Sequence, residues 1–187
     1  MNRAIFTGIE RCVGCKSCEI ACALAHSHSK VLATAREESP RPRPRVRVEP
    51  AGPYTFPSRC VHCEDAACIT ACPMGAMTRN SETGAVTVNP DRCVGCWMCV
   101  TVCPFGGVSA DPATNKAHKC DLCPERVAQG LEPACVSACP TGALVFATPE
   151  EFADQRRRET ALASVGSVGE VPMNIAIWRS LRGGKQA

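Results

Sequence analysis

The stretch from Cys93 to Pro104 constrains this chain more than any other part of its sequence. Its four cysteines follow the spacing C-x2-C-x2-C-x3-C, and a proline comes directly after the last of them, Cys103. This is the spacing of the bacterial iron–sulfur run, in which three cysteines bind one cluster and the fourth binds another. One such run cannot complete a site, so the chain needs a second run of the same kind.

The chain has four such runs, and together they use all 16 of its cysteines. They are Cys12, Cys15, Cys18 and Cys22 (run one), Cys60, Cys63, Cys68 and Cys72 (run two), Cys93, Cys96, Cys99 and Cys103 (run three), and Cys120, Cys123, Cys135 and Cys139 (run four). Proline follows runs two, three and four, whereas Ala23 follows run one. A unit that occurs four times is a far more specific sign of iron–sulfur binding than a single C-x-x-C pair.

Disulfides and zinc are the alternative uses of so many cysteines. The N-terminal segment lacks an apolar signal-peptide region, so we expect reduced thiols in the cytoplasm rather than a secreted disulfide framework. Run four alone has the two short pairs of a zinc site, and the other runs do not. No stretch of about 18 apolar residues is present, so we expect no membrane span, and a membrane contact only through a partner at the cytoplasmic face.

Composition and charge agree with a protein built around metal clusters. Only 4% of the residues are aromatic, so we expect the clusters to replace much of an ordinary core and to couple folding to metal binding. The formal charge is +3, but each oxidised cubane with four thiolates carries about −2, which brings the loaded protein to about −5. The excess of basic residues is therefore no evidence for a nucleic-acid partner.

Short strands and helices are predicted around the runs. Residues 4–9 form a strand and residues 141–146 a closing strand that pairs with it. Helix-forming residues at 19–28 place Cys22 on a short helix. Turn residues at 80–84 and 111–115 predict two hairpins, one leading into run three and one into run four.

Two segments without cysteines flank these elements. Residues 36–58 form an insertion, in which residues 45–49 alternate as a strand does; its arginines form either a solvated face or a basic docking strip for an acidic partner. A capping box at Thr148 starts a helix to about residue 163. The segment 171–181 packs either on the core or on another subunit.

The four runs resemble those of four-cluster ferredoxin-like electron-transfer subunits of the DMSO-reductase type, over residues 5–146. The resemblance implies an α+β fold of two intertwined bacterial-type 2[4Fe-4S] modules, with run one paired with run four and run two with run three. It implies a cluster domain at residues 1–147 and a C-terminal helix and docking tail at residues 148–187. Spacing alone leaves open the other connectivity, run one with run two and run three with run four.

Carried over by position, the resemblance implies four ligand sets for four [4Fe-4S] clusters. They are set 1 (Cys12, Cys15, Cys18, Cys139), set 2 (Cys22, Cys120, Cys123, Cys135), set 3 (Cys60, Cys63, Cys68, Cys103) and set 4 (Cys72, Cys93, Cys96, Cys99). Some relatives have tryptophan at the position of Cys96 and hold a three-iron cluster. Cysteine at this position implies a fourth [4Fe-4S] cluster here.

The residues around the ligands suggest a supporting role without catalysis. Apolar neighbours are expected to keep water from the clusters, namely Val94, Ile69, Ile20 and Val136. Lys16 and Lys119 stand beside ligands and are expected to tune charge. His26 and His28 are expected to be polar helix-end residues rather than ligands.

A relay of single electrons is the function that this sequence predicts. Four clusters in a small protein lie close together, and the potential of each is set by hydrogen bonds to sulfur, charge and burial. No open coordination position and no dinucleotide, phosphate or hydrolase motif is present, so we expect no reaction of its own.

Run one and the residues after it, from Cys12 to Ser27, resemble the iron–sulfur proteins that accompany nickel CO dehydrogenase. This resemblance implies electron transfer from CO dehydrogenase to a hydrogenase or another acceptor. The alternative is an iron–sulfur subunit of a molybdenum or tungsten oxidoreductase or of a formate-hydrogenlyase-type complex.

Replacement of Cys96 by serine tests the ligand prediction. Cys96→Ser is expected to lose or convert one cluster only, leaving about three cubanes by iron count. Unchanged iron content together with an intact visible spectrum would show that Cys96 is not a ligand.

Overall fold

The computed structural model describes residues 3–166. Within them, eight strands form four two-stranded antiparallel sheets. The pairs are β1 (Ala4–Thr7) with β8 (Leu144–Ala147), β2 (Val46–Ala51) with β3 (Tyr54–Arg59), β4 (Met77–Arg79) with β5 (Val86–Val88), and β6 (Val108–Asp111) with β7 (Lys116–Lys119).

The helices of this part of the chain are short, with one exception. They are α1 (Ser17–Ala25), α2 (Leu32–Ala35), α3 (Ala67–Thr70), α4 (Met98–Thr101), α5 (Pro124–Ala128), α6 (Ala134–Ser137) and α7 (Pro149–Gly166), with a turn of 3-10 helix at Ile9–Arg11. Short helices and short antiparallel hairpins are the α+β architecture expected for ferredoxin-like modules, so the predicted fold class is confirmed.

The first and last strands of the cysteine-containing region pair with each other, as predicted. Ile5 stands opposite Phe146 in the register of β1 and β8, and both are buried. The Gly8 N–H donates to the Ala143 carbonyl at 2.8 Å, which extends the contact beyond the strands. The pairing brings the segment that enters run one next to the segment that leaves run four.

The two predicted hairpins are also present. In the β4–β5 turn, the Asn80 side-chain oxygen accepts hydrogen bonds from the N–H groups of Glu82 and Thr83. In the β6–β7 turn, Asp111 accepts from the Ala113 N–H in the same way. Such side-chain-to-backbone bonds are the reason that asparagine and aspartate favour turns.

Strand β3 is an element that sequence reasoning missed. It contains Pro57, and a proline argues against a strand unless the strand lies at an edge. Among the described residues β3 pairs only with β2, so Pro57 can stand opposite Val48 without breaking a second ladder. The alternation predicted for residues 45–49 is confirmed, since Val46 and Val48 are buried and Arg47 is exposed.

Proline after the last cysteine of a run sets the length of the helix before it. Helices α3, α4 and α6 have four residues each and end two residues before the cysteine that precedes proline. Proline disfavours helical conformation at the preceding residue, so these helices cannot continue. In run one, Ala23 allows α1 to run through Cys22 to Ala25, which confirms the predicted helical position of Cys22.

Two buried clusters of side chains form the interior, and cysteines belong to both. The larger one joins strands β1, β2 and β8 with cysteines of runs one and four, and it also contains Cys60. The smaller one is built from Met77, Cys99, Val108 and Ala117, with cysteines of runs two and three packed against it. Runs one and four thus share the larger core, and cysteines of runs two and three pack in the smaller one, except for Cys60, which belongs to the larger.

The chain divides into two compact units, Met1–Pro149 and Glu150–Ala187. Within the second unit, α7 continues three residues beyond its predicted end. The segment 171–181, expected to dock on the core or on another subunit, lies outside the described residues. Among residues 3–166, no helix has both the length and the apolar character needed to cross a membrane.

A leucine pair tests the contribution of the β1–β8 closure. Leu144→Ala removes a buried side chain from β8 and is expected to lower the free energy of unfolding by about 2–5 kcal/mol. Leu162→Ala makes the same change at an exposed position of α7 and is expected to change it by less than about 0.5 kcal/mol. Anaerobic urea unfolding of the iron-loaded variants measures both, and equal effects would contradict a stabilising role for the closure.

Candidate iron–sulfur centres

One backbone conformation recurs at the start of all four runs. The residue before the second cysteine has a positive φ in each: Gly14 at 69°, His62 at 53°, Gly95 at 70° and Leu122 at 65°. A left-handed residue turns the chain back on itself, so the flanking cysteines can face a common point. Glycine adopts this conformation freely, whereas His62 and Leu122 adopt it at a cost of about 1–2 kcal/mol.

Set 2 is the most buried of the four predicted ligand sets. All four of its cysteines are buried, although Cys22 comes from run one and the others from run four. Burial raises the pKa of Cys135, and the neighbouring thiolates of Cys120, Cys22 and Cys123 raise it further. The structure therefore brings the four members of this set together.

Set 1 likewise combines distant parts of the chain. Hydrogen bonds from Ser17 lower the pKa of Cys15, and the nearby thiolate of Cys139 opposes that shift. Cys18 also lies close enough to Cys15 for the two charges to repel each other. Cys12 and Cys139 pack against the larger buried cluster.

Sets 3 and 4 each line one cavity. Cys60, Cys63, Cys68 and Cys103 all lie in the wall of the first cavity, together with Val86 and Val108. Cys72, Cys93, Cys96 and Cys99 all lie in the wall of the second. The structure brings runs two and three together at both cavities.

Backbone N–H groups point at many of the sulfurs. The Arg45 N–H donates to Cys22 Sγ at 3.2 Å and the Ala76 N–H to Cys72 Sγ at 3.2 Å. Other donors are His62 N–H to Cys60 Sγ, Gly107 N–H to Cys103 Sγ, Ala117 N–H to Cys93 Sγ, and Thr55 Oγ1–H to Cys12 Sγ. Hydrogen bonds to cluster sulfurs are among the factors that set reduction potential.

The cysteines fit an iron–sulfur cofactor by their chemistry. All sixteen are free thiols, and thiolate is the usual protein ligand of [4Fe-4S] clusters. Burial raises the pKa of Cys22 to about 12 and those of Cys18 and Cys120 to about 11, so these thiols are protonated at neutral pH without metal. Metal binding must therefore displace protons, and in return it removes the repulsion between neighbouring thiolates.

The zinc alternative does not match the grouping around run four. The charges of Cys120, Cys123 and Cys22 of run one all raise the pKa of Cys135. The charge of Cys139, in contrast, raises the pKa of Cys15. A group of His26, Asp121 and Cys123 also has ligand atoms within 4.8 Å of one another. Cys123 already belongs to set 2, so we assign no separate metal to this group.

His26 ends α1 and connects it to run four. Its Nδ1 lies 2.8 Å from the Cys22 carbonyl oxygen and its Nε2 lies 3.2 Å from Asp121 Oδ1. Asp121 also forms an ion pair with Arg45. Burial raises the pKa of Asp121, but the hydrogen bond from His26 and the charge of Arg45 outweigh that effect and keep the carboxyl ionised.

Two predictions about residues near the ligands are partly wrong. Ile20 and Val94 were expected to exclude water, yet both are more than half exposed, whereas Val136 is buried and Ile69 packs against the smaller core. Ile20 lies midway between Cys18 and Cys22 on α1, and the helical period of 3.6 residues puts it on the opposite face. Val94, although 57% exposed, also lines the cavity of set 4.

Two arginines of the insertion contact other parts of the chain, and the docking strip stays a prediction. Arg43 Nη1 donates to the Ala110 carbonyl at 2.8 Å and lies 4.0 Å from Asp111, while Arg45 pairs with Asp121. Arg41 and Arg47 are exposed. The alternating prolines and arginines therefore serve in part to fasten the insertion to the cluster-binding part of the chain.

Two family models match this chain. Residues 52–148 match the family model of a 4Fe-4S dicluster domain, and residues 11–76 match a second model of the same description. The chain belongs to the 4Fe-4S dicluster family. Two dicluster domains correspond to four [4Fe-4S] clusters as its cofactors.

Three relatives of known role are similar to this chain. The thiosulfate reductase electron transfer subunit PhsB of Salmonella typhi is 39% identical over 79% of this chain and 76% of its own length. In Escherichia coli (strain K12), the iron-sulfur subunit of the nitrate-inducible formate dehydrogenase is 32% identical over 82% of this chain, and NrfC is 39% identical over 72%. The matches span only 56% and 60% of the latter two proteins.

These relatives identify the general role of the chain. It is an iron–sulfur electron-transfer subunit of an oxidoreductase system, and it acts as a carrier rather than as the catalytic chain. The sequence prediction of that role is confirmed. The assignment of individual cysteines to sets 1–4 stays a prediction.

Gly107 offers a test of the contact between runs two and three. A Cβ atom at Gly107 would lie 2.6 Å from Cys60 Cα and 2.8 Å from Cys60 N, so Gly107→Ala must displace the first cysteine of set 3. The variant is expected to lose about four irons, measured by iron analysis after anaerobic purification.

Gly8→Ala is the matched control for this substitution. At Gly8 the new Cβ would meet only the flexible Glu10 side chain, at 3.3 Å. Full iron content is expected in the control, and full iron in both variants would contradict the proposed closeness of Cys60 and Gly107 in the loaded protein.

Proposed function

We propose that sets 1–4 hold the four clusters and that this chain relays single electrons between a catalytic redox subunit and an acceptor. The proposal is supported by the closeness of Cys139 to Cys15 and of Cys22 to Cys135, and by the two cavities that the cysteines of sets 3 and 4 line. When bound, each [4Fe-4S] cluster takes up and gives back one electron. The cluster-binding part is proposed to be residues 1–147, with the insertion 36–58 fastened to it, followed by the tail 148–187.

The pairing of run one with run four and run two with run three is proposed on three contacts. Strands β1 and β8 join the ends of runs one and four. Helices α1 and α6, which carry Cys22 and Cys135, lie side by side. The two cavities of sets 3 and 4 draw their cysteines from runs two and three.

Exposure suggests where electrons enter and leave. Among the sixteen cysteines, Cys15 of set 1 and Cys96 of set 4 are exposed, whereas all of set 2 is buried. Exposed apolar side chains lie near both exposed cysteines, Val13 beside Cys15 and Val94 and Met98 beside Cys96. We propose that sets 1 and 4 are the two ends of the relay, and that these apolar surfaces dock the partners.

The partner is proposed to be a catalytic subunit of the DMSO-reductase type. The names of PhsB and of the formate dehydrogenase subunit support this choice. The second candidate is nickel CO dehydrogenase, with a hydrogenase or another protein as acceptor, and it is supported only by the sequence from Cys12 to Ser27. We propose the cytoplasm as the compartment, because sixteen ligand thiols require reducing conditions.

Anaerobic co-purification distinguishes the two partners. The full chain is isolated with its bound protein, and that protein is identified by mass spectrometry. A molybdenum or tungsten enzyme is expected. A nickel–iron–sulfur dehydrogenase would favour the second candidate, and turnover of a substrate by the isolated chain would contradict the carrier role.

A charge placed on the apolar surface near set 4 tests the docking proposal. Val94→Glu is expected to leave the iron content unchanged and to slow reduction by the co-purified partner at least tenfold, because docking would bury an unpaired carboxylate. Val31→Glu is the matched control, since Val31 is 56% exposed and Val94 57%. Bleaching near 400 nm measures the rates, and equal rates in the two variants would contradict docking at Val94.

A further inference from the structure

Two basic side chains are buried inside the cluster-binding part of the chain. Lys119, the last residue of β7, is 4% exposed, and Arg59, the last residue of β3, is 6% exposed. Each directly precedes a predicted ligand, Cys120 of set 2 and Cys60 of set 3. Buried lysines and arginines are rare unless a negative charge lies nearby.

The contacts of both side chains are with neutral oxygen atoms. Lys119 Nζ donates to the Cys120 carbonyl at 2.8 Å and also to the Val86 carbonyl. The Arg59 guanidinium donates to the Ile5 carbonyl and to Thr7 Oγ1, and its Nε has no hydrogen-bond partner. Within residues 3–166, no carboxylate pairs with either one, although an unpaired buried charge is strongly unfavourable.

The negative charges that act on them are mainly those of cysteines of sets 2 and 3, with a smaller contribution from Cys18 of set 1. Burial lowers the pKa of Arg59, and the thiolates of Cys120, Cys135 and Cys60 oppose that shift. Burial raises the pKa of Cys68 in set 3, and the charge of Lys119 opposes that shift. The two cations therefore lie between the module of runs one and four and the module of runs two and three.

Burial makes the reduction of the clusters of sets 2 and 3 electrostatically unfavourable. One-electron reduction adds a negative charge to a cluster that already carries about −2. In an interior of low dielectric constant that added charge is costly, and the cost lowers the reduction potential of a buried cluster. Set 2, with all its cysteines buried, is the most affected, and a fixed cation within the same interior offsets the cost.

We propose that Arg59 and Lys119 raise the reduction potentials of the clusters held by sets 2 and 3, and thereby allow an electron to cross between the two modules. This inference rests on the proposed ligand sets. The side chains act as fixed charges that take no part in ligation, and their hydrogen bonds to backbone carbonyls hold them in place.

Redox titration of the anaerobically purified full chain, followed by electron paramagnetic resonance, tests this inference. Lys119→Met and Arg59→Met remove the charge and keep an unbranched apolar chain. Each variant is expected to lower the reduction potentials of the clusters of sets 2 and 3. The expected change in each potential is at least about 59 mV, which corresponds to a tenfold change in the one-electron equilibrium constant. Cys135→Ser and Cys68→Ser identify the signals of sets 2 and 3 as those that are lost or altered.

Three further variants serve as controls. Lys119→Arg and Arg59→Lys keep the charge and are expected to keep the potentials. Lys116→Met changes a lysine on the same strand, whose Nζ donates to the Cys93 carbonyl at 2.5 Å beside set 4, and is expected to leave the signals of sets 2 and 3 unshifted.

Each outcome decides the inference. A methionine variant with full iron and unshifted potentials overturns the inference. Equal loss of iron from the methionine and the charge-preserving variants also overturns it, because that result would indicate a purely structural role. Lower potentials of sets 2 and 3 in the methionine variants alone support it, whereas loss of those clusters from the methionine variants alone overturns it, because the charges would then be needed for cluster binding. Wild-type protein with markedly fewer than about sixteen irons would instead refute the proposed ligand sets, before any variant is compared.

Discussion

The desolvation of thiol groups is the constraint on which the rest of this structure depends. Cysteines occupy interior positions that leucine, phenylalanine or tryptophan would fill in a protein of the same length, and they lie close enough to repel each other when ionised. Protonated, they are weakly apolar and pack; ionised without metal, they destabilise the interior. Iron resolves the conflict, because it binds the thiolates and neutralises part of their charge. We therefore expect folding and cofactor binding to be coupled.

Local backbone geometry prepares the cysteines for this role. A left-handed residue before the second cysteine of every run turns the chain, and a proline after the last cysteine stops the helix. Run one departs from the pattern at Ala23, and its helix continues to His26, which binds Asp121 next to run four. That single replacement of proline therefore provides a second connection between runs one and four, in addition to strands β1 and β8.

In the proposed relay, the same interior separates the two exposed ends from the buried middle. Exposed cysteines and apolar side chains at sets 1 and 4 suit contact with partners, whereas the deeply buried set 2 suits protection from water. Burial protects the middle but opposes the uptake of an electron there. Arg59 and Lys119 lie where that opposition is strongest, and their lack of carboxylate partners in the described part of the chain agrees with a role as counter-charges to the clusters.

Much of the fold and of the candidate sites could be predicted from the sequence, because these features depend on local chemistry. The cysteine spacings predicted four [4Fe-4S] clusters, and turn residues such as Asn80 and Asp111 predicted two hairpins. The prediction that Ile20 excludes water was wrong, although the helical period could have corrected it, since a helix that buries Cys18 and Cys22 turns the residue between them outward. The strand containing Pro57 was missed because a proline is compatible with a strand only at an edge, and edges are a property of the assembled sheet.

The sequence by itself determined the cofactor, the fold class and the carrier role, since ligand type and spacing are written in short segments. Only the tertiary structure decided which cysteines come to lie together, for example Cys22 with Cys120 and Cys15 with Cys139. Only the tertiary structure also placed Arg59 and Lys119 in one interior and Cys15 and Cys96 at the surface. The physical reason is that burial and charge proximity arise from contacts between residues far apart in the chain, which spacing within a run does not encode.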